Sequence, residues 1–191
     1  MQPLRWLLLL VLLAGCGSHE HFFNTDITGA GFGRDFALTD AAGQLRHLAD
    51  FRGKAVVIFF GYTQCPDVCP TTLSGMAETM KLLGEDAKRV QVLFITLDPE
   101  RDTREILAAY VPQFNPSFIG LSADLTTTAA TAMEFKVFYQ KQVGSTPKNY
   151  TIDHTATSYA YDPQGRLRLL MKYSEPPQNM AADLKVLLAG K

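Results

Sequence analysis

The sequence predicts an α/β domain with a central mixed sheet, on three observations. Two continuous apolar runs, residues 55–60 and 90–97, have the character of strands buried on both faces. Each is followed by a segment whose apolar residues recur at helical spacing, which is the order that builds parallel neighbours. Near the C-terminus the order changes to strand, tight turn, strand and closing helix, which adds antiparallel pairing.

The elements follow in chain order. Residues 36–38 and 44–48, joined by Asp40-Ala41-Ala42-Gly43, form a hairpin added ahead of the sheet. Phe51-Arg52-Gly53-Lys54 connects it to the first core strand, 55–60. The next helix is capped by Thr71 or Thr72, carries Leu73, Met76, Met80 and Leu83 on one face, and ends at Gly84. After the second core strand, Thr103 begins another helix, and Pro112 and Pro116 interrupt the chain. Residues 118–121 form a short strand. A helix over 124–135 places Ala129, Ala130, Met133 and Val137 on one face. Residues 150–154 lead into a strand at 156–161, Asp162-Pro163-Gln164-Gly165 turns the chain, 167–171 returns antiparallel, and 180–188 is the last helix.

The N-terminus is of a different character. Arg5 precedes a short apolar run that ends in Leu13-Ala14-Gly15-Cys16. A basic start, an apolar stretch and small residues make an export signal, and the run is too short to span a bilayer comfortably. The ending resembles a bacterial lipobox, so residues 1–15 are expected to be a signal peptide and Cys16 the lipidated first residue. Residues 16–33 are small, polar and glycine-containing and read as a tether, with His19 and His21 solvated within it. Residues 34–191 form the folded domain. The expected location is the bacterial cell envelope, on the outer side of a membrane, held by lipid. A net charge of −1 with no basic run excludes a nucleic-acid partner, and 47% hydrophobic residues suit a packed core.

The chain has three cysteines. Once Cys16 is set aside, Cys65 and Cys69 remain, four positions apart in the loop that follows the first core strand. Open α/β sheets place their sites outside the carboxyl ends of such strands. Spacing of i and i+4 brings two sulfurs to one face of a helical turn, and a helix N-terminus favours thiolate over thiol. The pair can hold a soft metal or cycle between dithiol and disulfide. In an oxidising envelope, keeping it reduced requires a reductant or a bound metal. Two thiolates make a sparse site, and histidine is the natural third ligand. His47 lies in the early hairpin and reads as a surface residue. His154 lies at the entrance of the strand expected beside the cysteine loop, and it is the better candidate.

Gly61-Tyr62-Thr63 with Cys65-Pro66-Asp67-Val68-Cys69-Pro70, then Asp98-Pro99-Glu100-Arg101-Asp102-Thr103, then Asp153-His154 ahead of Asp162-Pro163-Gln164-Gly165, together resemble the signature of the Sco/SenC family. The likeness runs from about Phe32 to the C-terminus. Gln64 stands where many members have histidine, and a lipobox-like signal stands where the family often has a transmembrane anchor. The resemblance implies a thioredoxin-like fold and a copper site made of Cys65, Cys69 and His154. It also implies a role in assembling the binuclear copper centre of cytochrome c oxidase, as metallochaperone, thiol reductant or both. The implied partners are a copper-receiving oxidase subunit or similar copper protein, and another copper chaperone or a thiol reductant.

The donor chemistry agrees, since two thiolates and an imidazole suit Cu(I) and tolerate Cu(II), although zinc also accepts such ligands. A dithiol with this spacing also supports a thiol-disulfide oxidoreductase, with Cys65 and Cys69 as its redox pair. A thioredoxin-related peroxidase would expect a lone low-pKa cysteine and fits less well. Asp98, at the end of the second core strand, is a candidate to orient His154 or the cysteine loop from behind. Asp102 reads first as a helix cap. Met76, Met80, Met133 and Met180 fall on helical faces and read as core residues.

Overall fold

The computed structural model describes residues 21–146 and 149–190. The start of that range already touches the body at several points. Strand β1, Thr25–Asp26, pairs with a strand from the far end of the chain. The backbone of Phe23 and Asn24 is captured by the buried carboxylate of Asp183 at 2.9 Å. Residues 24–33, assigned above to the tether, are therefore partly docked: Ile27, Ala30 and Phe32 pack on the core, and Tyr161 donates to the Gly33 carbonyl at 2.6 Å. The expected signal peptide, Cys16 and His19 lie outside the described residues.

The added hairpin is β2, Leu38–Asp40, with β3, Leu45–Arg46. The first apolar run is β4, Ala55–Gly61, buried along its whole length. It leads through the cysteine loop into α1, Val68–Leu83, whose N-cap is Asp67. The helix thus begins before Thr71 and Thr72, and Cys69 sits in its first turn. Asp67 holds the N-cap position without a capping hydrogen bond from its side chain, and its carboxylate accepts instead from the Thr71 hydroxyl at 3.1 Å. Gly84 ends the helix at φ 60°, a conformation that glycine adopts without steric cost.

The second apolar run is β5, Val90–Thr96, followed by α2, Arg104–Tyr110, where Thr103 accepts from the Ile106 amide as N-cap. Strand β6 is Ile119–Ser122, and α3 is Leu125–Glu134, capped by Asp124. Helix α3 buries Thr128, Thr131 and Ala132, and Phe135 just beyond it, while Ala129 and Ala130 are exposed and Met133 is 76% exposed. Of the expected face only Val137 is buried, and threonine methyls and a phenylalanine past the helix end supply the apolar contact in place of Ala129, Ala130 and Met133. Two strands follow that pair with each other, β7, Tyr139–Thr146, and β8, Asn149–His154. Polar residues alternating with Tyr150 and Ile152 hid this ribbon, whose β7 strand was not expected. Strands β9, Ser158–Tyr161, and β10, Leu167–Met171, and helix α4, Pro177–Leu188, close the chain.

The main sheet has eight strands in the order β1-β10-β9-β4-β5-β6-β2-β3. Strands β4, β5 and β6 are parallel and the other pairings are antiparallel, so the sheet is mixed. Alternate residues of β4 explain its unbroken apolar run. Ala55, Val57 and Phe59 face α1 and α4, while Val56, Ile58 and Phe60 face α3 and the N-terminal segment. Among the described residues no helix is long and apolar enough to cross a membrane.

Candidate metal centre

The carboxyl ends of β4 and β5 meet the N-terminus of α1 here, and the tip of β8 closes over them. Gly61 ends β4, and its carbonyl accepts from the Leu97 amide at 2.7 Å, which joins the cysteine loop to the end of β5. The loop is tied down a second time by Asp102. This buried carboxylate accepts from the Thr63 amide at 2.9 Å, the Thr63 hydroxyl, and the Thr96 hydroxyl at 2.6 Å. Asp102 is therefore not the helix cap, which is Thr103. It fastens the loop to the sheet, and its burial raises its pKa above the usual carboxylate range.

Cys65 and Cys69 are both free thiols. Cys65 is partly exposed and Cys69 is fully buried. The Cys65 sulfur accepts from the Cys69 amide at 3.4 Å, within the first turn of α1. The Cys69 thiol, the amides of Asp67 and Cys69, and the nearby His154 together pull the Cys65 thiol down to about 5. Cys69 moves the other way, because its proton is shared with Cys65 and its sulfur is desolvated. The pair is thus polarised, with the charge favoured on Cys65 and the proton on Cys69.

His154 stands at the end of β8 with Nε2 3.6 Å from Cys69 Sγ. Its Nδ1 lies 2.9 Å from the Thr155 carbonyl. A carbonyl only accepts, so Nδ1 carries a proton and Nε2 is the nitrogen that faces the sulfurs and can bind a metal from the neutral ring. Metal-binding histidines are commonly oriented in this way. The rings of Phe59 and Tyr62 meet the imidazole edge-on, each at 6.1 Å between centroids, and fix its plane.

The two sulfurs and a His154 ring nitrogen all lie within 4.8 Å of one another, a grouping able to hold a metal ion. It is soft to borderline, has three donors and no carboxylate, and opens onto a groove of about 360 Å³ bordered by Tyr62, Pro66, Val68, Ile152 and Ala156. His47 is elsewhere, half-exposed beside Asp35 at the turn after β3. Asp98 does not hydrogen-bond to His154. It pairs with Arg101 and accepts from the Tyr150 hydroxyl at 2.7 Å. Of the methionines, Met76, Met80 and Met180 are core residues, and Met133 is on the surface. The residue that the sequence reading missed at the site is Tyr150, whose type carries no distinctive spacing, while Tyr62 stood in the Gly61-Tyr62-Thr63 motif without an assigned role.

A family profile described as SCO1/SenC matches residues 24–189. An SCO2-like protein from Rickettsia felis is 34% identical over 154 residues, which are 80% of this chain and 75% of that protein. The copper-bound structure of ScoI from Bradyrhizobium japonicum is 40% identical with a TM-score of 0.75, and covers 82% of this chain and 99% of its own. The apo Sco1 solution structures from Thermus thermophilus are 40% identical with a TM-score of 0.79, over 90% of this chain and 99% of theirs.

Proposed function

Since this chain belongs to the SCO1/SenC family, we propose that it is a copper-binding assembly factor that takes up one copper ion between Cys65 Sγ, Cys69 Sγ and His154 Nε2. The family is one of cytochrome c oxidase assembly proteins, and the recipient in this reading is the copper-receiving subunit of that enzyme or a similar copper protein. The observation that carries the proposal is the convergence of two sulfurs and an oriented imidazole at the edge of an open groove. Copper is the cargo, and the soft donors suit Cu(I) while the imidazole extends the site to Cu(II). Loading requires Cys69 to lose its proton, so uptake releases acid. Among the described residues no fourth His, Cys, Asp or Glu joins the three donors, which leaves a face from which a recipient's ligand can enter.

The test is copper titration of the chain with its cysteines reduced and with them oxidised. One copper per reduced chain and essentially none per oxidised chain is expected, because a disulfide consumes both thiolates. Equal binding by the two forms would place the metal elsewhere.

The asymmetry of the thiols favours a second reading, which uses the same atoms. The partly exposed Cys65 thiolate attacks one sulfur of a target disulfide, and the other target sulfur leaves as a thiolate. Cys69 then loses its proton and attacks Cys65, which releases the second target sulfur and leaves a Cys65–Cys69 disulfide. Two electrons pass to the target, whose cysteines become ready for copper. An external reductant must then restore the pair. Comparing turnover on a disulfide peptide with copper affinity, on one sample, separates the readings.

Anchoring at Cys16 is proposed from Leu13-Ala14-Gly15-Cys16 alone. Intact-mass measurement of the native protein tests it, and an unprocessed N-terminus or a freely soluble product would overturn it.

A further inference from the structure

His154 is carried on a ribbon that the main sheet does not hold. Among the described residues strands β7 and β8 pair only with each other, and an isolated two-stranded ribbon is marginal in water. Its alternation turns Tyr150, Ile152 and His154 toward the body and Thr151 and Asp153 outward. A slip of one residue would send His154 to the outer face. The β7–β8 pairing keeps one register from Tyr139–His154 to Val143–Tyr150 and shifts only toward the turn, between Val143 and Thr146, so what sets the ribbon against the body is its contacts outside the pair.

Beyond the burial of Ile152, Tyr150 supplies a polar constraint. Its hydroxyl donates to Asp98 Oδ1 at 2.7 Å. Its ring lies 3.5 Å from the Arg101 guanidinium carbon and 4.1 Å from Lys141 Nζ. Arg101 Nε pairs with Asp98, which is 2% exposed. Arg101 Nη1 donates at 3.0 Å both to the Tyr150 carbonyl and to Gln64 Oε1 in the cysteine loop. On β7, Lys141 pairs with Glu100 of the same turn. The turn at 98–101 thus grips the ribbon through Tyr150 and the cysteine loop through Gln64. These contacts recognise one residue of β8 by shape, charge and hydrogen bond, which apolar packing alone would not do. A buried ion pair adds little net stability over an apolar cluster, but it enforces one arrangement.

We propose that Asp98, Arg101 and Tyr150 form a pin that sets the register of β8 and so holds His154 Nε2 against the cysteine pair. The three are positioning residues, and none is a ligand. The proposal rests on the reading of Cys65, Cys69 and His154 as the copper site. It adds that the cysteine loop keeps two further ties, Asp102 to Thr63 and the Leu97 amide to the Gly61 carbonyl, so that the imidazole arm can be released while the thiols stay in place.

The test uses the full chain with Arg101→Ala and Tyr150→Phe, each alone and combined with His154→Ala. Tyr150→Phe keeps the ring and the Asp98–Arg101 pair, and so remains informative if Arg101→Ala folds poorly. Without metal, amide hydrogen exchange should rise in β7 and β8 and stay as in wild type in α1 and β4. With metal, Cu(II) affinity should fall roughly 10–100-fold for Arg101→Ala and less for Tyr150→Phe. The thiolate-to-Cu(II) absorption should weaken, while Cu(I) binding and the dithiol–disulfide equilibrium change little. In the His154→Ala background neither substitution should cost further Cu(II) affinity. An undiminished loss in that background would move the effect to the cysteine loop and overturn the pin. So would ribbon exchange that stays as in wild type, even if copper binds normally. A wild-type chain that takes up no copper would sink the proposed function instead, and raised ribbon exchange would still support the pin.

Discussion

The Cys69 sulfur occupies space that exists only because residue 61 has no side chain. A Cβ on Gly61 would stand 2.8 Å from Cys69 Sγ and 2.9 Å from the Phe94 ring. Both distances are too short for real contacts, and both neighbours are fully buried. Gly61→Ala should therefore destabilise the domain by about 1–3 kcal/mol, the usual cost of overpacking. It should also displace the Cys69 sulfur and weaken copper binding. Denaturant unfolding and copper titration check the two effects separately. Wild-type stability with wild-type copper affinity would show that the loop absorbs the methyl group freely.

Cys65 should be the alkylated cysteine, and its rate should follow its thiolate fraction. With its pKa lowered to about 5, the rate should rise through that pH and be nearly flat above roughly pH 6, where an ordinary thiol would still be climbing toward its pKa near 8.5. The sign is that of a depressed acid: protonation, and loss of reactivity, comes only as pH falls through the folded value. Cys69→Ala removes the thiol that donates to Cys65 and should move the midpoint upward. Iodoacetamide labelling followed by peptide mass mapping reads both. A midpoint near 8.5 in the native chain would remove the thiolate from the account.

His154→Ala should leave the fold and the cysteine couple largely intact and weaken copper binding, most of all for Cu(II). The loss should exceed the roughly 10–100-fold typical of outer-shell changes, because a donor atom is removed. The thiolate-to-Cu(II) absorption should shift or vanish, and Cu(I) should partly survive on the two sulfurs. His47→Ala, half-exposed beside Asp35, is the matched control. If His47→Ala impairs binding and His154→Ala does not, the ligand assignment is wrong.

Asp102→Ala should cost about 1–3 kcal/mol, because the Thr63 amide and the Thr63 and Thr96 hydroxyls lose their common acceptor. The loosened cysteine loop should expose Cys69 to alkylation that the native chain resists. Thermal unfolding and the Cys69-to-Cys65 labelling ratio are the measurements. A destabilised variant with unchanged labelling would confine Asp102 to holding β5.

Much of this was legible in the linear chain. The runs at 55–60 and 90–97 announced a doubly covered sheet because only a strand with helices on both faces is apolar at every position. Cys65 and Cys69 stood out because their spacing is local, and local geometry is what a sequence encodes directly. Helix α3 was legible in its extent but not in its face. Thr128 and Thr131 turn inward there while Met133 turns out, and hydrophobic labels do not register a threonine methyl group. The docking of residues 24–33 was likewise invisible, since their partners, Asp183, Leu169 and Leu170, lie more than a hundred positions away.

The sequence by itself determined the sheet, the dithiol and its place at a strand-to-helix junction, because each follows from periodicity or short-range spacing. Only the tertiary structure decided that His154 faces the sulfurs, that Thr155 sets its tautomer, that Asp102 ties down the cysteine loop, and that Asp98 and Arg101 reach Tyr150. The physical reason is distance along the chain. Cys69 and His154 are 85 positions apart, Asp98 and Tyr150 are 52 apart, and no local rule relates such residues. They meet because the mixed sheet brings the carboxyl ends of β4 and β5 to one edge and a separate ribbon folds its inward face across that edge.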